Sequence, residues 1–157
     1  MVGPTLDNGV NVDRYRIEGF LGEGGMAVVY RVRHAHLGSL HALKVLTLFG
    51  PTIRERLLTE GRAQASLRHP NVLSVTDVIQ VDGAPGLIVE FVDGPALDEL
   101  LNKGKLTLEQ VDVLATGILR GIEAAHTHGL VHRDLKPANV LCAITKNGLI
   151  PKVADFG

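Results

Sequence analysis

At 157 residues the chain has room for one domain of ordinary size or for part of a larger one. Hydrophobic residues at 45% and charged residues at 21% sit near the averages of soluble globular proteins, which excludes a disordered or fibrous chain. A formal net charge of −1, with Lys and Arg scattered, leaves no electrostatic footprint for nucleic acid, and a single cysteine, Cys142, excludes both an intrachain disulfide and a cysteine-built zinc site.

That cysteine usage fits a reducing cytoplasm. The amino terminus, "MVGPTLDNGVNVDRY", has no basic segment followed by an apolar run, and no apolar stretch approaches the roughly 20 residues that span a bilayer. The visible chain reads as soluble and untargeted.

Residues 1–12, rich in Gly, Pro, Asn and Asp, have too few spaced apolar positions for a regular element and read as a loose tail. From Tyr15, "YRIEGFLGEGGMAVVYRVRH" alternates at Tyr15 and Ile17 and again at Val28, Tyr30 and Val32, which predicts a hairpin around a glycine-rich turn. "LHALKVLTL" continues as a third strand, with a slip near Lys44. After Pro51 the period changes: Ile53, Leu57, Leu58 and Leu67 fit one face of a helix that stops before His69-Pro70. "NVLSVTDVIQVDGAPGLIVEFV" returns to strand character with "DGAPG" as its turn, and "GPALDELL" is a short helix. Thr107 with Gln110 has capping-box spacing, and Val111, Leu114, Ile118, Ile122 and Ala125 form an apolar stripe running toward Gly129. "NVLCAI" and "GLIPKVA" then flank Asn147-Gly148, a hairpin signal. Strands with one helix followed by mainly helix predict an α+β chain of two lobes: residues 13–92, then residues 93–157, with a seam near Asp93.

Chemistry concentrates in three places. In "GEGGMAVV", Gly22 to Val29, glycines let backbone amides approach a phosphate, although a flexible hairpin tip has the same composition. A dinucleotide fingerprint needs a helix after the glycines, whereas "AVVYRV" is β-branched, and no G-x-x-x-x-G-K-[ST] loop occurs. Lys44 on an apolar strand must leave the core or meet an anion; an ordinary edge lysine satisfies the same rule. Glu60, on the following helix, could reach back to Lys44 or stand solvated. "VHRDLKPANVL" packs His132, Arg133, Asp134, Lys136 and Asn139 between a capped helix and an apolar strand. Asp134 could accept a hydroxyl proton, Lys136 could neutralise a phosphoryl group, and Asn139 offers an amide oxygen suited to Mg²⁺. Asp155 adds a hard carboxylate ligand sixteen residues on. His34-x-His36 and His126-x-His128 invite a metal reading, but i,i+2 residues on a helix point apart.

"HRDLKPAN" with "DFG", preceded in order by "LGEGGMAVVY" and "ALKVL", resembles the eukaryotic-like protein kinases, and the wording of the glycine loop with Lys136 resembles the serine/threonine kinases of bacteria. The resemblance implies a two-lobe kinase fold: a complete β-rich amino-terminal lobe and the first part of a helical second lobe. It implies ATP and Mg²⁺ (or Mn²⁺) as cofactors and a protein substrate with a Ser or Thr hydroxyl.

By similarity Gly22, Glu23, Gly24, Gly25 and Met26 would cover the ATP phosphates, with Ala27 standing where the family's third glycine falls. Val29 and Ala42 would lie above the adenine and Leu141 below it. Lys44, paired with Glu60, would hold the α- and β-phosphates. Val89 would guard the back of the pocket, while the backbones of Glu90 and Val92 would hydrogen-bond the adenine edge. Asp134 would orient the substrate hydroxyl and accept its proton late, Asn139 and Asp155 would hold the metal, and His132 and Phe156 would stack in a spine.

The resemblance runs from about Val12 to Gly157 and reaches no A-P-E motif, so the chain reads as the amino-terminal part of a kinase that transfers nothing by itself. Its long helix would leave an apolar face free for self-association. A non-catalytic nucleotide-binding or regulatory module is the alternative reading.

Overall fold

Alternation of apolar and polar residues turns the first half of the chain into one antiparallel sheet. In a computed structural model, which describes residues 5–24, 26–47 and 50–156, six strands appear: β1 (Asn11–Val12), β2 (Tyr15–Gly24), β3 (Ala27–His34), β4 (Leu40–Leu46), β5 (Val75–Val81) and β6 (Ala84–Glu90). Their order is β1-β2-β3-β4-β6-β5. One face carries the core, where Tyr15, Ile17, Tyr30, Val32, Leu43, Val45, Ile79 and Ile88 pack together.

The turns follow local chemistry. Asp82 and Gly83 both take positive φ (49° and 82°), as a two-residue hairpin with right-handed strand twist requires. The turn is therefore shorter than the predicted "DGAPG", and Ala84-Pro85-Gly86 belong to β6. Pro85 is tolerated there because the β4–β6 ladder ends at Val45–Gly86, so its missing N–H costs no bond to β4.

One correction concerns the amino-terminal end. The predicted loose tail includes residues that edge the sheet: the Gly9 amide donates to Ile17 O at 2.8 Å, that of Ile17 to Val10 O at 2.9 Å, and β1 pairs with β2. These backbone bonds need no apolar spacing, so the pattern could not announce them. Residues 1–4 of that tail, Gly25 and Gly157 lie outside the described residues.

Helix α1 (Pro51–Ser66) opens on proline, whose fixed φ suits a first turn. Gly61, a weak helix former, is buried here, and a Cβ on it would stand 3.1 Å from the Leu87 side chain. The glycine thus lets α1 approach β6 closely. Ile53, placed on the packed face by its spacing, is 41% exposed instead.

The chain divides into two compact units: residues up to 62 with 75–91, and residues 63–74 with 92 onward. The division after residue 91 falls near the predicted seam, whereas the stretch 63–74 joins the second unit rather than the first. Its backbone explains this. Leu73 N donates to Val153 O at 2.8 Å, Val153 N to Asn71 O at 2.9 Å, and Asn71 Nδ2 to Pro151 O at 3.0 Å, so the segment runs along the last strand of the second unit.

That unit holds α2 (Leu97–Asn102), α3 (Leu108–Thr127), a 3₁₀ turn (Pro137–Asn139) and the hairpin β7 (Val140–Thr145) and β8 (Gly148–Val153). The capping box forms as predicted: Gln110 N donates to Thr107 Oγ1 at 3.1 Å and Thr107 N to Gln110 Oε1 at 2.9 Å. The stripe of α3 is rotated from its predicted line. Leu114, Gly117, Gly121 and Ala125 are buried, whereas Val111 is 46% exposed. A Cβ on Gly117 would stand 2.4 Å from Pro151 Cγ, and one on Gly121 2.5 Å from Asn71 O. Glycines carry no hydrophobic signal, so a periodicity argument passes over the residues that permit the closest contact.

Candidate active site

The first unit sets its candidate residues by strand register. Gly22 pairs with Val29, Val29 with Lys44 and Lys44 with Leu87, while Ala42 pairs with Val89. Because the side-chain period of a strand is two, Val29, Ala42, Lys44 and Val89 share the sheet face opposite the apolar core. Glu23 and Gly24 complete the ladder of the hairpin with Val28 and Ala27, and Met26 at the tip is 65% exposed. Gly25 lies outside the described residues. Glu90 ends β6 opposite His41, so its side chain lies on the other face from Val89.

Glu60 behaves differently from its predicted partnership with Lys44. Its carboxylate accepts from Arg56 Nε at 3.0 Å, one turn back on α1. An i,i+4 cation is held within reach by the helix itself, whereas a strand lysine must be met by moving the helix.

The second unit gathers the rest around one loop. His132 is 3% exposed, and its ring nitrogens are both spoken for: Nδ1 accepts from Asp134 N at 3.2 Å, so Nε2 carries the proton and donates to Ala154 O at 2.6 Å. The His132 and Phe156 rings pack 4.7 Å apart at 51°. The stacking follows the sequence reading; the tie to Ala154 has no sequence signal. Arg133, after His132, and Asp155, after Ala154, take left-handed backbone at φ 70° and 59°. Such geometry in non-glycine residues costs about 1–3 kcal/mol each and persists only where the surroundings over-determine it. The His132–Ala154 bond fastens the two strained positions to each other's neighbours.

Asp134, Lys136 and Asn139 come together. Lys136 Nζ stands 3.2 Å from Asp134 Oδ2, with both side chains more than half exposed. Asn139 Nδ2 donates to Asp134 O at 2.9 Å and reaches Oδ2 at 3.3 Å. This turns the amide oxygen Oδ1 the other way. Asn139 O accepts from Ala154 N at 2.8 Å, which places Asn139 one residue from Asp155 through a single hydrogen bond. An amide oxygen and a carboxylate make a hard, oxygen-only donor pair of the kind Mg²⁺ takes while keeping waters or phosphate oxygens on its other positions.

Leu141 sits half-buried on β7 and bridges to Ala96, while Val92 begins the segment that leads there. Burial pushes the Cys142 thiol up, which makes it a packing residue rather than a nucleophile. Among the described residues no group of three His, Cys, Asp or Glu is placed to hold a metal. No described helix is long and apolar enough to cross a membrane.

The family model for the protein kinase domain matches residues 15–157. A probable serine/threonine-protein kinase of Streptomyces coelicolor is 41% identical over 152 residues, covering 92% of this chain and 22% of the relative. The probable serine/threonine-protein kinase PknB of Lactococcus lactis is 40% identical over 150 residues, covering 92% of this chain and 23% of the relative. The crystal structure of the Mycobacterium tuberculosis PknI kinase domain superposes with a TM-score of 0.80 at 33% identity, covering 97% of this chain and 63% of that one. The chain thus spans less than a quarter of those two curated relatives and under two thirds of that solved domain.

Proposed function

The chain belongs to the protein kinase family, and from that premise we propose that it serves ATP-dependent phosphoryl transfer to serine or threonine hydroxyls of proteins. The observation that carries the reading is the hydrogen-bonded loop that joins Asp134, Lys136 and Asn139 and ties Asn139 to the residue before Asp155. Asp134 would position the substrate hydroxyl and accept its proton at Oδ, late in a loose transition state. Lys136 beside it would offset charge on the transferring group. Asn139 and Asp155 would hold Mg²⁺ or Mn²⁺, which when bound supplies charge neutralisation across phosphate oxygens. Lys44 would grip the α- and β-phosphates, with Glu60 as its partner once Arg56 releases it. The backbone of Gly22 to Met26 would cover the phosphates. Val29, Ala42, Val89 and Leu141 would line the adenine, and the backbones of Glu90 and Val92 would bond its edge.

Thermal melting with and without Mg-ATP tests the binding part. Nucleotide at about ten times its dissociation constant stabilises by about 1.4 kcal/mol, which corresponds to roughly 3–6 °C for a chain of this size. Lys44→Met and Asp155→Asn should each remove that shift. A melting temperature indifferent to millimolar Mg-ATP, or a shift untouched by Lys44→Met, would overturn the assignment. A shift without transfer to any basic protein is the result expected of this chain by itself, and it is shared by the regulatory-module reading, in which the fold binds nucleotide and acts through protein contacts in the cytoplasm.

Helix α3 supports a second property of the chain, self-association. Leu108 is 89% exposed and Leu119 69%, with Val111 and Val113 between them. Sedimentation velocity should show dimers or larger species that dissociate in Leu108→Gln/Leu119→Gln. A monomer that melts cooperatively without either change would refute it.

A further inference from the structure

One end of the six-stranded sheet is closed by rings rather than aliphatic side chains. Tyr15 on β2 is buried, and two imidazoles stand edge-on to it: His34 at 5.2 Å and 78°, His41 at 5.7 Å and 80°. The tyrosine hydroxyl donates to Asp77 Oδ2 on β5 at 3.0 Å, which ties the second strand of the sheet order to the last.

Both histidines are held in ways that a second ring proton would disturb. His34 Nδ1 accepts the backbone N–H groups of His36 (3.2 Å) and Leu37 (3.1 Å), and so organises the turn from β3 to β4. The backbone closes the same turn through His34 N to Ser39 O and Gly38 N to His34 O, both at 2.9 Å. His41 shares a hydrogen bond between Nε2 and Ser39 Oγ at 2.8 Å, while its Nδ1 is buried without a partner among the described residues. A second proton on His34 must go to Nδ1, where it would face two N–H donors. On His41 it would make both nitrogens donors, one of them buried with no acceptor.

Of the charged groups around the pair, Asp77 opposes the effect but is already engaged. Asp77 Oδ2 already takes the Tyr15 hydroxyl and lies 3.4 Å from Arg14 Nη2, and its Oδ1 accepts Val78 N at 2.9 Å. Asp13 pairs with Arg14 at 3.6 Å. Glu90 stands opposite His41 in the β4–β6 register, and His36 is a further imidazole, 6.1 Å from His34.

We propose that this corner is a proton-operated latch: protonation of His34 and His41 unfastens the β3–β4 turn and the Tyr15–Asp77 tie, loosening the strands that carry Val29 and Lys44. The proposal stands on this geometry and does not depend on the reaction assigned above. The direction of titration agrees with it. Burial first, and the His34 charge second, hold His41 below the usual imidazole range, with Asp77 opposing. A group that binds its proton more weakly when folded stabilises the fold fully above the unfolded imidazole value of about 6.5, and that stability is lost as pH falls below it. Burial and the bond to Asp77 push the Tyr15 hydroxyl up to about 12, so the tyrosine stays a donor throughout.

The chain has two tyrosines and no tryptophan, so Tyr30→Phe leaves Tyr15 as the sole emitter. In that background, Tyr15 emission should change in one step between about pH 7 and 5.5, and the unfolding constant should rise about tenfold over the same range. Adding His34→Asn and His41→Gln, which keep hydrogen-bonding atoms but cannot take up the proton, should flatten both traces. Coincident traces with and without these substitutions, or Tyr15 emission that changes only with global unfolding, would overturn the latch. Nitrogen-detected histidine NMR on the unmutated chain decides the matter independently, should the variants fail to fold. Above pH 7 the proposal requires His34 protonated at Nε2 alone, with the Leu37 amide protected from exchange and losing that protection on acidification. A proton on Nδ1 above pH 7, or Leu37 protection unchanged by acid, would sink it.

Discussion

Asparagine in place of Asp134 is expected to lower phosphoryl transfer from Mg-ATP to a basic protein by roughly 10²–10⁴-fold, the range that a positioned proton acceptor contributes. The substitution keeps the side chain's size, and Asn139 Nδ2 still finds the backbone oxygen of residue 134 at 2.9 Å, so the loop should hold its shape. What is lost is the negative charge 3.2 Å from Lys136 Nζ and the site that takes the hydroxyl proton. Because that ion pair is more than half exposed, its removal should leave stability within about 0.5 kcal/mol. Single-turnover transfer and melting, measured side by side in protein preparations competent for transfer, separate the two effects. Transfer that survives within about tenfold at unchanged stability would remove Asp134 from the role assigned to it.

Alanine at Gly94 should be among the most destabilising single changes in the second unit. A Cβ there would stand 1.9 Å from the carbonyl oxygen of Cys142, inside the backbone of β7. The segment cannot step aside cheaply. Cys142 N donates to Pro95 O at 2.8 Å and Ile144 N to Asp93 O at 3.0 Å, so residues 93–96 are stitched along β7, and displacement would break both bonds. Overpacking and two lost hydrogen bonds together suggest about 3–4 kcal/mol. For a chain of this length that is a fall of roughly 6–16 °C in melting temperature. Gly19→Ala is the matched control, since nothing lies within 4 Å of its Cβ position. Equal melting temperatures for the two variants would show that residues 93–96 do not hold β7 as described.

The elements that could be read in advance share one property: their signal lies within a few residues. The Thr107–Gln110 box forms because cap and partner are three positions apart on a helix start. Alternation in β2 to β4 is similarly local. The turn at Lys146-Asn147 falls one residue before the expected Asn147-Gly148, with Thr145 paired to Gly148, because cross-strand register and not the dipeptide decides where a hairpin closes. The candidate site divides along the same line. The spacing of Asp134, Lys136 and Asn139 is a loop property, and the structure keeps those three in contact. The partner of Glu60 is not, and the nearest helical arginine takes it.

What the sequence determined by itself is therefore the order and type of the longer elements from β2 onward, the capping of α3 and the chemical content of the loop from His132 to Asn139, all of which depend on near neighbours. Tertiary structure alone decided that residues 63–74 belong with the second unit, that Gly117 and Gly121 form the packed line of α3, and that His132 is fastened to Ala154. Those contacts join residues 22 to 80 positions apart, as Asn71 to Pro151 shows, and they are made by backbone oxygens and by glycines with no side chain. Neither has a periodic or compositional signature, so packing had to select them.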